Sequence, residues 1–428
     1  MTVADIDTFR NEVRTWLAAN AEPLAATSSD DDEVELGWGE GSDDVSVFHD
    51  IDDDEERRRL SACQTWQRKK FDAGYAMINW ATELGGRGLP NSFVRAYNTE
   101  ESRYVVPSGG ELPPTSMGLI ATTVSVYGTP EQKARWIPSL MSQDEYGCQL
   151  FSEPSAGSDL ASLTTKAVRD GDEWVLEGQK VWTSGARFAQ WGLAITRTDF
   201  DVPKHKGMTA FMVPLDAPGV EIRPIRQASG GSSFNEVFLT GVRLNDADYR
   251  LGAVGDGWRV ALTCLGFERD HSSGGGGGGT GGGFKKVLDC ARHFERTGDP
   301  VTRQVLADLY IHQKVAQLTN RRAASKMRAG QTPGPEASLG KLMWTANMAR
   351  VSDAISGILG PKLVADTGEW GTYAWSAHVL GAPGYRIAGG SDEIQRNIIG
   401  ERVLGLPAEP RVDKDVSFSQ AQRAARGG

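Results

Sequence analysis

The sequence predicts an α+β fold in which helical segments precede and follow a small antiparallel β-domain. Up to about residue 145, apolar residues such as Phe9, Val13 and Leu17 recur at helical spacing. From about 146 to 255 the pattern changes to short, β-rich runs separated by turn residues. The helical period then returns. These observations predict an N-terminal helical domain at 1–145, a middle β-domain at 146–255, a C-terminal helical domain at 256–408 and a tail at 409–428.

The N-terminal domain contains a polar insert at about residues 27–56. It carries two acidic runs, Asp30–Glu33 and Asp52–Glu56. The second run lacks the turn glycine and the spaced final glutamate of a calcium loop, so we interpret the insert as a solvated acidic loop. Farther along, Thr129 and Pro130 mark the start of a helix.

The middle domain is predicted from four apolar runs and a hairpin-type turn at Asp170–Asp172. The runs are Glu173–Glu177, Gly192–Thr196, Thr209–Val213 and Asn235–Leu239.

In the C-terminal domain a long helix is predicted to begin with Asp299 as its N-cap and Pro300 in its first turn. An apolar stripe follows at Val301, Val305, Leu309 and Val315. Further helices are predicted over Pro335–Gly360, Gly371–Gly381 and Ser391–Leu404. The polar tail from about residue 409 is predicted to be disordered.

Composition narrows the classes of function. The 428 residues are 39% apolar, which indicates a globular protein with a large core. A net charge of -10 disfavours nucleic acid as a partner. No apolar run approaches the roughly 18 residues of a membrane helix, and Met1–Asn20 does not resemble a leader peptide. Four scattered cysteines without a CxxC motif predict a cytoplasmic protein, and the isolated histidines predict no metal site.

Three motifs carry the chemistry: Leu150–Asp159 (LFSEPSAGSD), Gly178–Ser184 (GQKVWTS) and Gly389–Arg402 (GGSDEIQRNIIGER). The first lets a ligand approach the backbone closely, and the second sets a tryptophan beside two hydroxyl groups. In form and order the three resemble the signatures of the acyl-CoA dehydrogenase family. The resemblance covers roughly residues 85–407, with Trp80–Gly88 as its earliest piece. It implies FAD as cofactor and an acyl-CoA thioester as substrate.

The resemblance also implies roles for individual residues. Trp182 packs on the isoalloxazine and Ser184 hydrogen-bonds near its reactive nitrogen. The implied cofactor contacts are Leu150, Ser152, Gly157, Ser158, Trp182, Thr183, Ser184, Arg296, Gly357, Gly360, Ser391 and Glu393. The implied substrate contacts are Ser158, Arg269, Gly389 and Gly390.

The catalytic base departs from the commonest family pattern. Most relatives carry a glutamate where this chain has Gly389. A minority, including the isovaleryl- and long-chain enzymes, supply it from another helix in a Leu-x-x-Glu-Arg context, which Leu265–Arg269 matches. Glu268 is therefore the expected general base, in an apolar pocket that raises its pKa. The Gly389 N–H then faces the thioester oxygen, and Arg269 faces CoA. The alternative is that Glu268 and Arg269 form an ordinary surface charge pair.

A glycine tract follows the base, with nine glycines among the ten residues of Gly274–Gly283. A helix there would be weaker by about 5–9 kcal/mol than with alanine. We expect a pocket widened for a bulky acyl group; the alternative is a low-complexity loop.

Oligomeric partners are suggested by two further departures. The family's flavin-pyrophosphate arginine is displaced to Arg296, and a glycine-rich segment is reduced to Gly357–Gly360. These resemble actinobacterial members built from two different subunits. The resemblance thus implies α,β-desaturation in fatty acid or sterol side-chain β-oxidation, with an electron-transfer flavoprotein as acceptor, in a homo- or hetero-tetramer or dimer. Two alternatives stay open: a non-catalytic or half-site subunit, and a flavin oxidase on the same fold.

Overall fold

The computed structural model describes residues 5–24, 45–48, 50–273, 283–328, 334–411 and 413–426. Residues 274–282 of the glycine tract and the first acidic run lie outside the described residues, and so do the side chains of 268–273. None of the helices within the described ranges is long and apolar enough to cross a membrane.

The N-terminal part is a helical bundle that also contains a short two-stranded antiparallel ribbon. A π-helical stretch, Ser116–Ala121, links α4 to α5, so that the two run on as one helix. A capping box between Thr129 and Gln132 begins α6, as predicted. The elements are α1 (Ile6–Asn20), β1 (Glu22–Pro23), α2 (Asp53–Asp72), α3 (Asn91–Glu101), β2 (Tyr104–Val105), α4 (Leu112–Thr115), α5 (Thr122–Tyr127) and α6 (Pro130–Ser142).

The end of the polar insert is not the solvated loop that we predicted. Asp52 caps α2, accepting from the Glu55 N–H at 2.8 Å, and the other acids of that run fill the first helical turn, where the helix dipole favours negative charge. Before it lies a buried strap, residues 45–48. Val45 is 1% exposed and Phe48 is 8% exposed, because both pack against the C-terminal helices.

The middle part is an eight-stranded sheet with strand order β10-β7-β6-β4-β5-β9-β8, and β3 pairs with β6. Neighbours are antiparallel except that β6 runs parallel to β3 and to the end of β4. A short helix, α7 (Asp246–Tyr249), precedes the last strand. The strands are β3 (Gly147–Leu150), β4 (Lys166–Asp170), β5 (Glu173–Ser184), β6 (Trp191–Arg197), β7 (Met208–Pro214), β8 (Val220–Ile225), β9 (Phe234–Asn245) and β10 (Arg250–Leu251).

Two neighbouring strands of the sheet, β6 and β7, are covered on both faces. All seven residues of β6 are buried, whereas the outer strand β8 alternates between exposed and half-buried positions. Two of the four predicted runs, Gly192–Thr196 and Thr209–Val213, therefore lie in strands that are buried on both faces, whereas the runs in β5 and β9 alternate between buried and more exposed positions.

The C-terminal part is again helical, and its helices begin close to the predicted positions. Asp299 caps α10, accepting from the Thr302 N–H at 3.0 Å. A π-helical turn, Ile399–Val403, extends α13. The helices are α8 (Gly257–Ser273), α9 (Phe284–His293), α10 (Pro300–Arg328), α11 (Ala337–Leu359), α12 (Ala374–Ile387) and α13 (Asp392–Ile398).

The apolar stripe on α10 is mostly exposed and is not the face that packs inward. Leu309 is buried, but Val301 is 70% exposed and Val315 is 49% exposed. The face that packs inward carries Thr302, Leu306 and Leu309 instead. Spacing alone predicts a helix but does not identify which of its faces meets α9 and α11.

The tail is likewise not disordered where the structure describes it. Helix α14 (Phe418–Arg426) docks on the middle domain. Phe418 is 2% exposed and lies under the Arg197 guanidinium, 3.7 Å from its ring centroid. Its N–H donates to the Val202 carbonyl at 2.9 Å. One aromatic anchor thus holds a segment whose composition otherwise indicates disorder.

Candidate functional site

The first two motifs are joined by a buried ion pair. Lys180 of β5 is fully buried, and its Nζ donates to Glu153 Oε1 at 2.9 Å. The same ammonium donates to the carbonyls of Phe151 at 3.0 Å and Ile195 at 2.7 Å. The Val181 N–H donates to the Ser152 carbonyl at 2.9 Å. The Leu150–Asp159 loop is therefore fixed against the strand that carries Trp182.

Glu153 is held by the backbone as well as by the lysine. It accepts from the N–H groups of Thr164 at 2.6 Å and Thr165 at 2.9 Å. Burial raises the pKa of the Glu153 carboxyl, but Lys180 and these donors outweigh it and leave the pKa below its usual value. Gly178 permits this packing, because a Cβ there would lie 2.4 Å from the Thr165 hydroxyl.

Trp182 projects from the sheet at an irregularity in β5. The pairing with β9 shifts between Lys180 and Thr183, and Trp182 has φ of 61°. For a bulky residue this left-handed conformation costs on the order of 1–3 kcal/mol. Trp182 is 59% exposed, and its ring meets that of Phe234 edge-on at 6.1 Å. A strained bulge thus presents an aromatic face outward.

The hydroxyl groups beside Trp182 point in different directions. Thr183 is buried, and its Oγ1 has no hydrogen-bond partner among the described residues. Ser184 donates to Glu111 Oε2 at 3.1 Å. A second donor, the Tyr385 hydroxyl of α12, reaches the other oxygen of the same carboxylate. Residues of all three parts of the chain therefore meet at Glu111.

The C-terminal signature presents two glycine amides. Gly389 and Gly390 both have positive φ, 63° and 86°. Gln395 Nε2 donates to both carbonyls, and Lys341 Nζ donates to that of Gly390 at 2.8 Å. Because C=O and N–H are opposed across a trans peptide, the Gly390 N–H points away from Gln395. Among the described residues, neither glycine N–H has a protein acceptor.

The segment is anchored by Asp392, which is buried. Its oxygens accept from Arg386 Nε at 2.8 Å and from the Thr345 hydroxyl at 2.9 Å. Burial raises the pKa of the Asp392 carboxyl, but Arg386 and Thr345 outweigh it, and the pKa stays below its usual value. Ser391 caps α13, accepting from the Ile394 N–H at 3.3 Å.

An aromatic cluster connects the strand and the signature helix. Phe48 of the strap stacks on Tyr385 with ring centroids 4.9 Å apart, and meets Phe234 edge-on at 5.2 Å. Phe234 in turn contacts Trp182, and Trp344 of α11 packs on Tyr385 at 4.7 Å. The cluster is one continuous apolar wall beside the exposed indole.

The remaining predicted residues are less closely gathered. Leu150 is buried at the end of β3, and Ser152 is half-buried. Several others are exposed: Gly157, Ser158, Arg296, Gly357, Gly360 and Glu393. The last pairs with Arg396 at 3.4 Å. Glu268 and Arg269 belong to α8, and their side chains lie outside the described part of the chain.

These residues fit a flavin. An outward-facing indole, an unpartnered buried hydroxyl and two free glycine amides in the described ranges offer stacking, hydrogen-bonding and close-approach surfaces, which an aromatic, polar cofactor requires. Within the described residues no group of three His, Cys, Asp or Glu could hold a metal ion.

Comparison with known families gives three adjoining matches. The N-terminal, middle and C-terminal domain models of acyl-CoA dehydrogenase match residues 46–144, 148–242 and 255–404. The chain belongs to the acyl-CoA dehydrogenase family. It is 37% identical over 409 residues to the acyl-CoA dehydrogenase IpdE1 of Mycobacterium tuberculosis, covering 95% of this chain and 99% of that one. The predicted family and its three-part fold are thereby confirmed.

Solved acyl-CoA dehydrogenases show the same fold. The steroid enzyme Tcur3481–Tcur3483 superimposes with a TM-score of 0.70 at 26% identity, covering 96% of this chain and 100% of that one. The ChsE4–ChsE5 complex of M. tuberculosis gives 0.65 at 24% identity, with coverage of 96% and 99%. A glutaryl-CoA dehydrogenase of M. smegmatis, solved with FADH2, gives 0.61 at 20% identity, with coverage of 95% and 96%. The family binds FAD.

Sequence reasoning missed several residues that the structure brings to this candidate site of the acyl-CoA dehydrogenase: Glu111, Lys341, Tyr385 and the strap. Lys341 lies on a predicted helix, whereas Tyr385 lies on α12 beyond its predicted end at Gly381, and nothing local marks either residue. The strap is a short apolar run, Val45–Phe48, inside an otherwise polar insert, which is a signal that we overlooked.

Proposed function

We propose that this chain is a catalytic, FAD-binding subunit that introduces an α,β double bond into an acyl-CoA with a bulky, ring-containing acyl group. The observation that carries the proposal is the pair of glycine N–H groups at 389 and 390, which have no acceptor in the part of the chain that the structure describes and lie across an aromatic wall from the outward-facing indole of Trp182. One surface suits a thioester oxygen, and the other suits an isoalloxazine.

In the proposed reaction two C–H bonds break and one C=C bond forms. Glu268 accepts the α-proton as general base. The Gly389 and Gly390 N–H groups donate to the thioester oxygen, where negative charge develops, and the fixed carbonyls keep these donors preorganised. Bound FAD supplies the acceptor for the β-hydride. Arg269 binds CoA.

The cofactor residues take their proposed roles from the same arrangement. Trp182 and Ser184 face the isoalloxazine, and the Leu150–Ser158 loop contacts the flavin or the thioester. The Lys180–Glu153 pair, which fixes that loop to β5, supports this assignment. Ser391 lies on the cofactor side of the signature.

The acyl class and the assembly rest on further observations. The wall of Phe48, Phe234 and Trp344 suits a ring more than a thin chain, and a similar solved enzyme is named a steroid acyl-CoA dehydrogenase. Arg296, Gly357 and Gly360 are exposed, which favours their use at a partner's flavin site, and the ChsE4–ChsE5 complex joins two different chains. We propose a hetero-oligomer that passes electrons to an electron-transfer flavoprotein.

The test is the visible spectrum of the purified protein as acyl-CoAs are added without oxygen. We expect ring-containing thioesters to bleach bound flavin, and Glu268→Gln to slow bleaching by about 10²–10⁴-fold while flavin stays bound. Glu12→Gln, on the exposed side of α1, is the matched control. Full bleaching by Glu268→Gln contradicts the base assignment.

Two other results would redirect the proposal. Protein that cannot retain FAD alone identifies the half-site subunit, which the exposed Arg296 also favours. Rapid peroxide formation in air identifies an oxidase.

A further inference from the structure

Glu111 is a carboxylate that three domains hold in place. It immediately precedes α4 and is exposed. The Ser184 hydroxyl donates to one oxygen at 3.1 Å, and the Tyr385 hydroxyl donates to the other. Its partners lie 73 and 274 positions away along the chain. Nothing in the predicted chemistry uses this group.

The carboxylate has acceptor capacity to spare. Within the described part of the chain no lysine or arginine pairs with Glu111, and the two hydroxyls are its hydrogen-bond partners. A carboxylate offers about four lone-pair sites, and an ionised one cannot donate. Glu111 is therefore positioned to accept one or two further hydrogen bonds from a donor group.

Its place is between the two proposed halves of the site. Ser184 lies two residues after Trp182, and Tyr385 lies on the helix that leads into Gly389. Leu112, the residue after Glu111, packs closely against Gly185 at the end of β5: a Cβ built on Gly185 would lie 3.1 Å from the Cβ of Leu112. A thioester lying between the indole and the glycine amides therefore brings its acyl group close to Glu111.

Tyr385 acts as a constant donor. Burial and the neighbouring Glu111 raise the pKa of its phenol far above the ordinary value, so the hydroxyl keeps its proton at working pH. The surrounding rings, Phe48 and Trp344, hold its orientation. The acceptor geometry of Glu111 is thus preset and does not depend on the ligand.

Binding makes this arrangement selective. An acyl group that closes over Glu111 removes water from the carboxylate, which is unfavourable unless a donor replaces the water. We infer that Glu111 selects acyl-CoAs whose ring carries a hydroxyl group, with Ser184 and Tyr385 as positioning residues. This inference rests on the proposed function and narrows its substrate class to hydroxylated ring compounds.

The test compares two thioesters that differ by one hydroxyl: 3-cyclohexylpropanoyl-CoA and 3-(hydroxycyclohexyl)propanoyl-CoA, the latter as its 3- and 4-isomers. Dissociation constants are measured by calorimetry on the flavin-loaded protein as isolated, with the flavin reduced beforehand so that no thioester is consumed. For the better isomer we expect about 10- to 100-fold tighter binding than for the unsubstituted thioester, the range of one hydrogen bond to a charged group.

The variants locate that preference. Glu111→Leu should abolish or reverse the preference for the hydroxylated thioester, because the leucine variant binds the unsubstituted thioester more tightly. Glu111→Gln still accepts a hydrogen bond and should keep part of the preference. Glu12→Leu, an exposed position of α1, should leave it unchanged. If Glu111→Leu loses its flavin, the inference is tested by the ratio of dissociation constants in the wild type and by its change in Glu111→Gln.

Three results would overturn the inference. Equal affinity of the wild type for all three thioesters, with flavin bleaching intact, removes the inference and leaves the proposed function. Failure to bind any of them and failure to bleach with any acyl-CoA remove both. Unchanged dissociation constants in Glu111→Leu, together with lost deuterium exchange at the α-carbon, assign Glu111 to proton transfer instead.

Discussion

Replacing Lys180 with methionine tests whether the buried pair holds the flavin-side loop. Methionine keeps most of the side-chain volume and removes the ammonium. The change takes one hydrogen bond from Glu153 and one each from the carbonyls of Phe151 and Ile195. It also leaves a carboxylate that is 4% exposed without its counter-charge.

The magnitude follows from what remains around Glu153. Breaking a buried ion pair by removing one partner costs about 3–5 kcal/mol. The donors of Thr164 and Thr165 still stabilise the carboxylate, so we expect a loss near 3 kcal/mol in the free energy of unfolding of the middle domain. Adding Glu153→Gln should recover about 1–2 kcal/mol, because the stranded charge is then gone.

The assay is urea unfolding followed by tryptophan fluorescence, with flavin retention measured on the same samples. Lys166→Met is the matched control, since this lysine is exposed on the neighbouring strand β4. A Lys180→Met protein within about 1 kcal/mol of the wild type, or one that Glu153→Gln destabilises further, would refute the reasoning.

The other predictions concern the tail, a buried histidine of α12 and the signature. Phe418→Ala should free α14, so limited proteolysis should cut the tail faster while the sheet's unfolding midpoint is unchanged. His378 is fully buried, and burial lowers its pKa below 6.5. The unfolded chain then binds the extra proton, so stability should fall as pH drops below 6.5, and urea midpoints at pH 7.5 and 5.5 should converge in His378→Gln. Asp392→Asn should weaken thioester binding more than flavin binding, because the glycine segment is then no longer anchored by the ion pairs of Asp392 with Arg386 and Lys341. Titration of the protein with each ligand checks this prediction.

Much of the fold could be predicted from local signals. Asp299 and Thr129 cap their helices as expected, because a capping side chain acts on backbone only two or three residues away. The strands of the middle domain could be found for a similar reason, since alternation and apolar runs are contained within each segment. The signature motifs alone are enough to indicate Trp182 and Gly389 as candidate site residues.

Contacts between residues that are far apart along the chain could not be predicted from local signals. Phe48 looked like part of a polar insert and Phe418 like part of a disordered tail, because one buried aromatic outweighs many polar neighbours only once its receiving surface is known. The stripe on α10 predicts the helix but not its buried face for the complementary reason: Val301 and Leu309 share helical spacing, but the faces of α9 and α11 decide which one is buried.

Glu111 shows how the two kinds of information combine. Its neighbour in space, Ser184, lies within a signature, whereas Tyr385 and Glu111 itself lie outside all three motifs. A motif records the chemistry that members of a family share, and residues outside it are free to fit one substrate. Since Glu111, Ser184 and Tyr385 come from different domains, a ligand hydrogen-bonded to Glu111 stabilises the packing among all three. The strap contributes to the same packing, because Phe48 stacks on Tyr385. Selectivity for the acyl group should therefore depend on Glu111, Tyr385 and Phe48, which lie outside the three signatures, as well as on Ser184 within one.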